Sequence, residues 1–186
     1  MHFYALSPSA SLPARFVLLD TNIIVGNFNP RDDHHDVASG FMGRLASQGY
    51  IPVLGVSVIV EAHGMLKSRG RGYEEFLSWA CTPGQALLMP EDPELVDPAK
   101  NFAVHFAIDF VDAFLTNLMR DIRTRCPLIP KVPIATLDTK DFLRQIGHLD
   151  CPLELMDLET LEINQYMGGQ GPGAKKSKTP MRRGSR

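Results

Sequence analysis

The sequence is short of the features that announce several common chemistries. It has three cysteines, Cys81, Cys126 and Cys151, with no CxxC spacing. An odd, unspaced set frames neither a disulfide scaffold nor a zinc site, and reads as the reduced thiols of a cytoplasmic protein. There is no GxxxxGK[ST] loop and no paired-histidine motif, so P-loop nucleotide hydrolysis and zinc hydrolysis lose their usual supports. No run approaches the roughly 18 apolar residues of a membrane span. The first residues carry no basic region, and their apolar run stops at Ser7-Pro8, too early for a signal peptide. No membrane partner is expected, and no internal repeat is visible.

What is present suits one soluble domain. A chain of 186 residues with 44% hydrophobic and 22% charged residues can build a single core. The net charge of −2 hides an asymmetry. Lys175, Lys176, Lys178, Arg182, Arg183 and Arg186 give residues 168–186 a charge of +6 with no acid, leaving −8 on residues 1–167. The expected organisation is a loose arm over 1–14, a folded body over 15–167 and a disordered basic tail over 168–186. Such a tail adds sequence-independent attraction to nucleic acid, or serves solubility.

Along the body, apolar runs and helical patterns alternate. Residues 15–19 form a continuous apolar run, as a central parallel strand does. A short helix from about Ile23 is broken at Asn29-Pro30, and Arg31-Asp32-Asp33 opens another to about Ser47. Further strands are predicted over 50–56, 85–89, 132–137 and 153–156. A helix capped by Ser57 follows the second strand, and another runs over 73–80. Residues 90–98 read as an acidic, proline-rich connection with little structure of its own. Residues 101–124 read as one long helix with Phe102, Phe106, Phe110, Ala113 and Leu118 among its apolar positions. A short helix is predicted over 141–146, with Asp141 at its start, and residues 157–167 suit a helix or a strand. The alternation predicts an α/β fold with a parallel sheet flanked by helices.

The acids fall where such a fold places its ligand site, outside the carboxyl ends of the strands. Asp20 follows the first strand, Glu61 lies in the opening turns of the helix after the second, and Asp138 follows the fourth. Asp112 sits on the long helix, beside that edge. Carboxylates brought together repel one another unless a cation joins them. Hard oxygen ligands of this kind select Mg²⁺ or Mn²⁺, which activate water and stabilise phosphodiester cleavage.

Four segments containing these acids, Leu18-Leu19-Asp20-Thr21-Asn22, Val56-Ser57-Val58-Ile59-Val60-Glu61-Ala62, Asp112-Ala113-Phe114-Leu115 and Ala135-Thr136-Leu137-Asp138-Thr139-Lys140-Asp141-Phe142, occur in the order of the four motifs of PIN-domain ribonucleases. The resemblance spans about residues 15–160. It implies a three-layer α/β/α fold with a five-stranded parallel sheet, and a Mg²⁺- or Mn²⁺-dependent endoribonuclease. Many members of that family are toxins paired with an antitoxin, and dimers are common among them. By position, Asp20, Glu61 and Asp112 would be direct or water-mediated metal ligands, and Asp138 would complete the acidic pocket and orient a water. Thr21, Asn22 and Thr136 would be supporting polar groups. Asp109 competes with Asp112 for the third motif and is taken as accessory, as is Asp141.

Simpler readings stand beside these. Asp20 and Asp138 are equally suited to cap the helices that follow them. His34 and His35 point apart on a helix and suit solvated surface, while His63 and His105 read as structural. Lys67, Arg69 and Arg71 form a compact basic patch suited to RNA phosphates or to a solvated loop. Arg120, Arg123, Arg125 and Lys131 make a second candidate. A PIN-like module that binds RNA or protein without cleaving is the alternative function. A haloacid-dehalogenase-type phosphatase is disfavoured because Asn22 stands where its second aspartate is needed.

Overall fold

Strand β1, Arg15–Leu19, carries three successive side chains with no solvent access, Val17, Leu18 and Leu19. Burial on both faces requires neighbours on both sides and a layer of helices above and below. The structure, a computed structural model, describes residues 15–90, 92–125 and 131–167, so the arm over 1–14, the tail over 168–186 and Cys126 lie outside the described residues. In it β1 pairs in parallel with β2, Tyr50–Gly55, on one side and with β4, Ile134–Ala135, on the other. Strand β3, Leu87–Met89, extends the sheet beyond β2, and β5, Leu153–Met156, extends it beyond β4. A sixth strand, β6, Ile163–Tyr166, runs antiparallel to β5 at the sheet edge, so the segment 157–167 is a turn followed by a short strand. The order is β3-β2-β1-β4-β5-β6, so the five expected parallel strands are joined by one antiparallel strand.

The connections sort the helices into two layers. From β1 to β2 and from β2 to β3 the chain moves one way across the sheet; from β3 to β4 and from β4 to β5 it moves the other way. Right-handed crossovers therefore put α1 (Thr21–Phe28), α2 (His35–Ser47), α3 (Val56–Ser68) and α4 (Tyr73–Cys81) on one face. They put α5 (Pro93–Phe106), α6 (Phe110–Arg125) and α7 (Thr139–Arg144) on the other. The packing agrees: α1 touches α2, α3 and α4, and α6 touches α5 and α7. The result is a three-layer α/β/α fold. No helix among the described residues is long and apolar enough to cross a membrane.

Four local expectations are corrected. Residues 93–98 are helical, not a connection with little structure. Asp92 caps α5 by accepting the Glu94 N–H (3.0 Å), and Pro93 occupies the first turn, where a missing N–H is harmless. Pro98 costs the helix one ladder bond, and burial of Leu95, Ala99 and Ala103 on one stripe holds it in place. The long helix over 101–124 is two helices, α5 and α6, divided where Ala107 adopts a left-handed φ of 53°. Ser57 is not the cap of α3; the cap is Gly55, and a Cβ there would lie 2.6 Å from the buried Phe114 ring. The helix after β4 starts at Thr139 with Asp138 as its cap, so Asp141 lies within the first turn and does not start it.

Two buried polar clusters hold the second helix layer, one against the sheet and one within the layer. Glu154 of β5 is 1% exposed and accepts from Arg123 Nη1 (3.1 Å), Gln165 Nε2 (2.7 Å) and the Val132 N–H (3.3 Å). Its charge thereby meets a cation and two further donors, the condition for burying a carboxylate. Thr116 of α6 donates to Gln145 Oε1 at 2.8 Å, joining α6 to the end of α7.

Candidate active site

Crossovers leave β1 and β4, adjacent in the sheet, toward opposite faces, so a crevice opens between their carboxyl ends. Asp20 stands at the end of β1 and Thr136 at the end of β4, with the Asp20 N–H bonded to the Ala135 carbonyl at 3.0 Å. Asp20 is nearly buried, and both of its oxygens are engaged. Oδ1 accepts the Thr21 N–H (2.7 Å); Oδ2 accepts from Asn22 Nδ2 (2.6 Å) and from the Thr136 hydroxyl (2.7 Å). Thr136 Oγ1 in turn accepts from Asn22 Nδ2 (3.0 Å) and the Asp138 N–H (2.9 Å), and Asn22 Oδ1 accepts the Leu137 N–H (3.0 Å). Residues more than a hundred positions apart thus form one closed polar ring across the crevice.

Asp20 both caps α1 and anchors this ring, so the capping reading and the site reading describe the same carboxylate. Burial pushes its pKa up to about 6, opposed by the Thr136 and Thr21 bonds and aided by the charges of Glu61 and Asp109. Glu61, on the exposed side of α3, accepts the Thr21 hydroxyl at 2.6 Å and is linked to Asp20 through that residue. The three predicted supporting groups, Thr21, Asn22 and Thr136, all lie in this ring or adjoin it.

Asp112, in the first turn of α6, faces the crevice from the second layer. Its pKa is raised to about 7, first by burial and then by the charges of Asp20, Asp109, Asp141 and Asp138. Asp109 is the cap of that same first turn, its carbonyl accepting the Ala113 N–H at 3.0 Å. It sits just before α6 and accepts the Val111 N–H at 2.8 Å, so its carboxylate is committed to capping. No hydrogen bond or ion pair from another described residue reaches the Asp112 carboxylate. Asp109 and Asp112 nonetheless line one recess of about 190 Å³, together with Asp141 and the unpredicted Arg144, His148 and Phe106. Asp141 is paired with Arg144 at 2.9 Å. Asp138 is exposed, accepts the Lys140 N–H at 3.1 Å and lines a separate groove of about 490 Å³ with Asn22, Arg69 and Lys140.

Six acids therefore surround the crevice, and in two of them, Asp20 and Asp112, burial first and the neighbouring acids second disfavour the charged form. The donors are hard oxygens, as Mg²⁺ or Mn²⁺ requires. Among the described residues, no three histidine, cysteine or acidic side chains stand close enough to enclose an ion together. Mg²⁺ usually keeps several waters and takes one or two carboxylates directly, so an open acid set of this kind fits it in chemistry and in number.

The predicted basic residues separate. Arg69 lies beside the site, bound to Asp32 at 2.6 Å. Lys67 ends α3, and Arg71 lies in the turn before α4; both are exposed. The second patch is structural: Arg120 pairs with Asp150, Arg123 with Glu154, and Arg125 with Glu94 and Asp121. His35 Nδ1 lies 2.8 Å from the Gly26 carbonyl and His34 is exposed, so the adjacent histidines form no shared site. Arg144 could have been found from its i,i+3 spacing to Asp141. Phe106 and His148 come from other elements and carry no local signal.

No family model matches the chain, and no curated protein matches it. Several solved structures are similar. VapC20 of Mycobacterium tuberculosis, a sarcin-ricin loop cleaving toxin, shares 20% identity over 56% of this chain and 82% of its own, with a TM-score of 0.47. A toxin-antitoxin complex from Klebsiella pneumoniae shares 15% identity over 68% of this chain and 89% of its own, with a TM-score of 0.48. A protein of Pyrobaculum aerophilum shares 13% identity over 71% of this chain and 87% of its own, with a TM-score of 0.42. At these identities and scores, the functional reading is carried by the side chains of the crevice.

Proposed function

We propose that the chain is a Mg²⁺- or Mn²⁺-dependent endoribonuclease, hydrolysing RNA phosphodiester bonds at the crevice between β1 and β4. One arrangement supports the reading: Asp20, Glu61, Asp112 and Asp138, drawn from four separate elements, are spread around the switch point of the sheet, with Asp20 fixed by Thr136 and Asn22, Glu61 linked to it through Thr21, and Asp112 within reach of the charges of Asp20 and Asp138. A structural role for each acid alone would not require that arrangement.

Asp20, Glu61 and Asp112 would hold the cation directly or through water, with Asp138 on the flank. When bound, the cation supplies a Lewis acid for the phosphoryl oxygens and a more acidic water. The ring of Thr21, Asn22 and Thr136 keeps the Asp20 carboxylate in one orientation, and a positioned ligand loses less entropy on binding. Arg144, paired with Asp141 on the same helix, lines the recess, where a phosphate needs hydrogen-bond donors. The resemblance read from the four motifs favours a toxin of a toxin–antitoxin pair, with an antitoxin and a second copy of the chain as partners and the cytoplasm as its compartment.

The test is cleavage of structured and single-stranded RNA by the purified protein in Mg²⁺ or Mn²⁺, repeated with chelator. Loss of activity in chelator and in Asp20→Asn is expected. Equal activity of Asp20→Asn and wild type, or no metal-dependent cleavage, would refute the reading. The alternative, a binding module of the same fold, is favoured by the open spacing of the acids and by the capping roles of Asp20 and Asp138. A melting temperature unmoved by Mn²⁺ would decide for it.

A further inference from the structure

One wall of the acidic recess is aromatic, and nothing in the cleavage reading requires that. Phe106, the last residue of α5, is half-buried, with the ring of Phe102 at 4.8 Å and that of His105 at 4.5 Å, both edge-on. On Phe106 lies the imidazole of His148, at 3.7 Å between centroids and an interplanar angle of 21°. His148 is exposed, at the end of the 3-10 turn Ile146–His148. The stack thus runs from half-buried to exposed and ends in an aromatic ring at the rim of the recess that holds Asp112 and Asp141. An aliphatic residue would close the gap between α5 and the 3-10 turn equally well. A flat, unsaturated ring at that edge provides a surface for another flat ring.

We propose that His148, backed by Phe106, is a stacking platform for an unpaired base of the nucleic-acid substrate, next to the acids that cleave it. The proposal rests on the nuclease reading and deepens it. Bases stack on aromatic and imidazole faces whatever their identity, and only a base freed from pairing offers its face. A cation nearby complements the chain that would carry the base: Lys100 lines the adjoining hollow beside Phe106, while Arg144, in the recess, is shared with Asp141. The platform holds a nucleotide in place and takes no part in the chemistry.

The experiment uses the full chain carrying Asp112→Asn, to prevent turnover, in Mg²⁺ with a short fluorescent single-stranded RNA. Binding is read by anisotropy over a range of salt at about pH 8, above the ordinary imidazole range. His148→Ala and Phe106→Leu should each weaken binding by about 5- to 30-fold, and His148→Phe should stay within about twofold of the parent. The slope of log affinity against log salt should not change, because a lost stack releases no counterions. Parent-like binding by His148→Ala, or equal losses in His148→Phe and His148→Ala, would overturn the platform. If the wild type cleaves RNA while these variants bind like the parent, the platform alone falls. If the wild type cleaves no RNA and the parent binds none, the nuclease reading falls with it.

Discussion

In the absence of a cation the protein should lose stability as the pH rises, the reverse of the usual behaviour of paired carboxylates. Asp20 and Asp112 have folded-state pKa values of about 6 and about 7, against an ordinary value of 3.8. Below the ordinary value, both carboxyls are protonated in the folded and the unfolded chain, and they exact no penalty. As pH climbs, the unfolded chain gives up these protons first, and the folded chain is progressively disfavoured until it loses them too near pH 6 and 7. For Asp20 the full displacement is worth about 3 kcal/mol. Part of that is already spent at about pH 5. Asp112 is less buried, and solvent screening reduces its share. Together they predict a loss of about 1–3 kcal/mol between about pH 5 and about pH 8.

Urea unfolding in chelator measures this directly. The single tryptophan, Trp79, packs against Phe28 at 5.5 Å and Phe76 at 6.5 Å and reports the loss of tertiary structure. Asp112→Asn replaces the most perturbed carboxyl by a neutral isostere, so its pH slope should be shallower and its stability at the higher pH greater than wild type. Mg²⁺ should restore wild type at the higher pH and do little at the lower. A chelated wild type more stable at pH 8 than at pH 5, or an Asp112→Asn variant with an undiminished slope, would refute the reasoning.

Other perturbations separate positioning from packing. Thr136→Val removes the donor to Asp20 and the acceptor of the Asp138 N–H, and should cost about 2–3 kcal/mol in denaturant unfolding while abolishing cleavage. Gly55→Ala keeps an acceptable φ but places a methyl group 2.6 Å from Phe114, so it should cost about 1–3 kcal/mol and lower activity by displacing α3 and Glu61. Glu154→Ala strips the buried acceptor from Arg123 and Gln165 and should cost about 3–5 kcal/mol. Its remaining folded fraction should show an unchanged midpoint for Mg²⁺ activation, because Glu154 lies outside the crevice.

Much of this was legible in the chain because strands buried on both faces announce themselves. The run Phe16-Val17-Leu18-Leu19 marks a central strand without help from its neighbours, and its end fixes Asp20 at the sheet edge. Glu61 and Asp138 were placed by the same logic, one in the helix after β2 and one at the end of β4. Asp138, three residues past the end of β4, takes the capping role that the sequence offers beside the site role, because a carboxylate at that point meets the first free N–H groups of α7. The misreadings have physical causes. Pro93 and Pro98 looked like breakers, yet one sits where a helix needs no donor and the other is held by a buried stripe. Ala107 divides α5 from α6 in a left-handed conformation usually taken by glycine, so the sequence carried no mark there. The break falls before Asp109, so Asp109 and Asp112 remain neighbours at the start of α6. The wall formed by Phe106, Arg144 and His148 comes from three elements and exists only once the second helix layer has docked.

The ring that holds Asp20 also sets the order in which the protein can become active. Its halves lie near residue 20 and near residue 136, and Thr136 enters only when β4 takes its place beside β1. A chain emerging from synthesis exposes β1, β2 and β3 first and folds from that end. Until β4 arrives, Asp20 lacks two of its fixed partnerships and the crevice has one wall. A half-made chain would therefore lack the assembled crevice, and the proposed cleavage would have to wait until most of the chain has been synthesised.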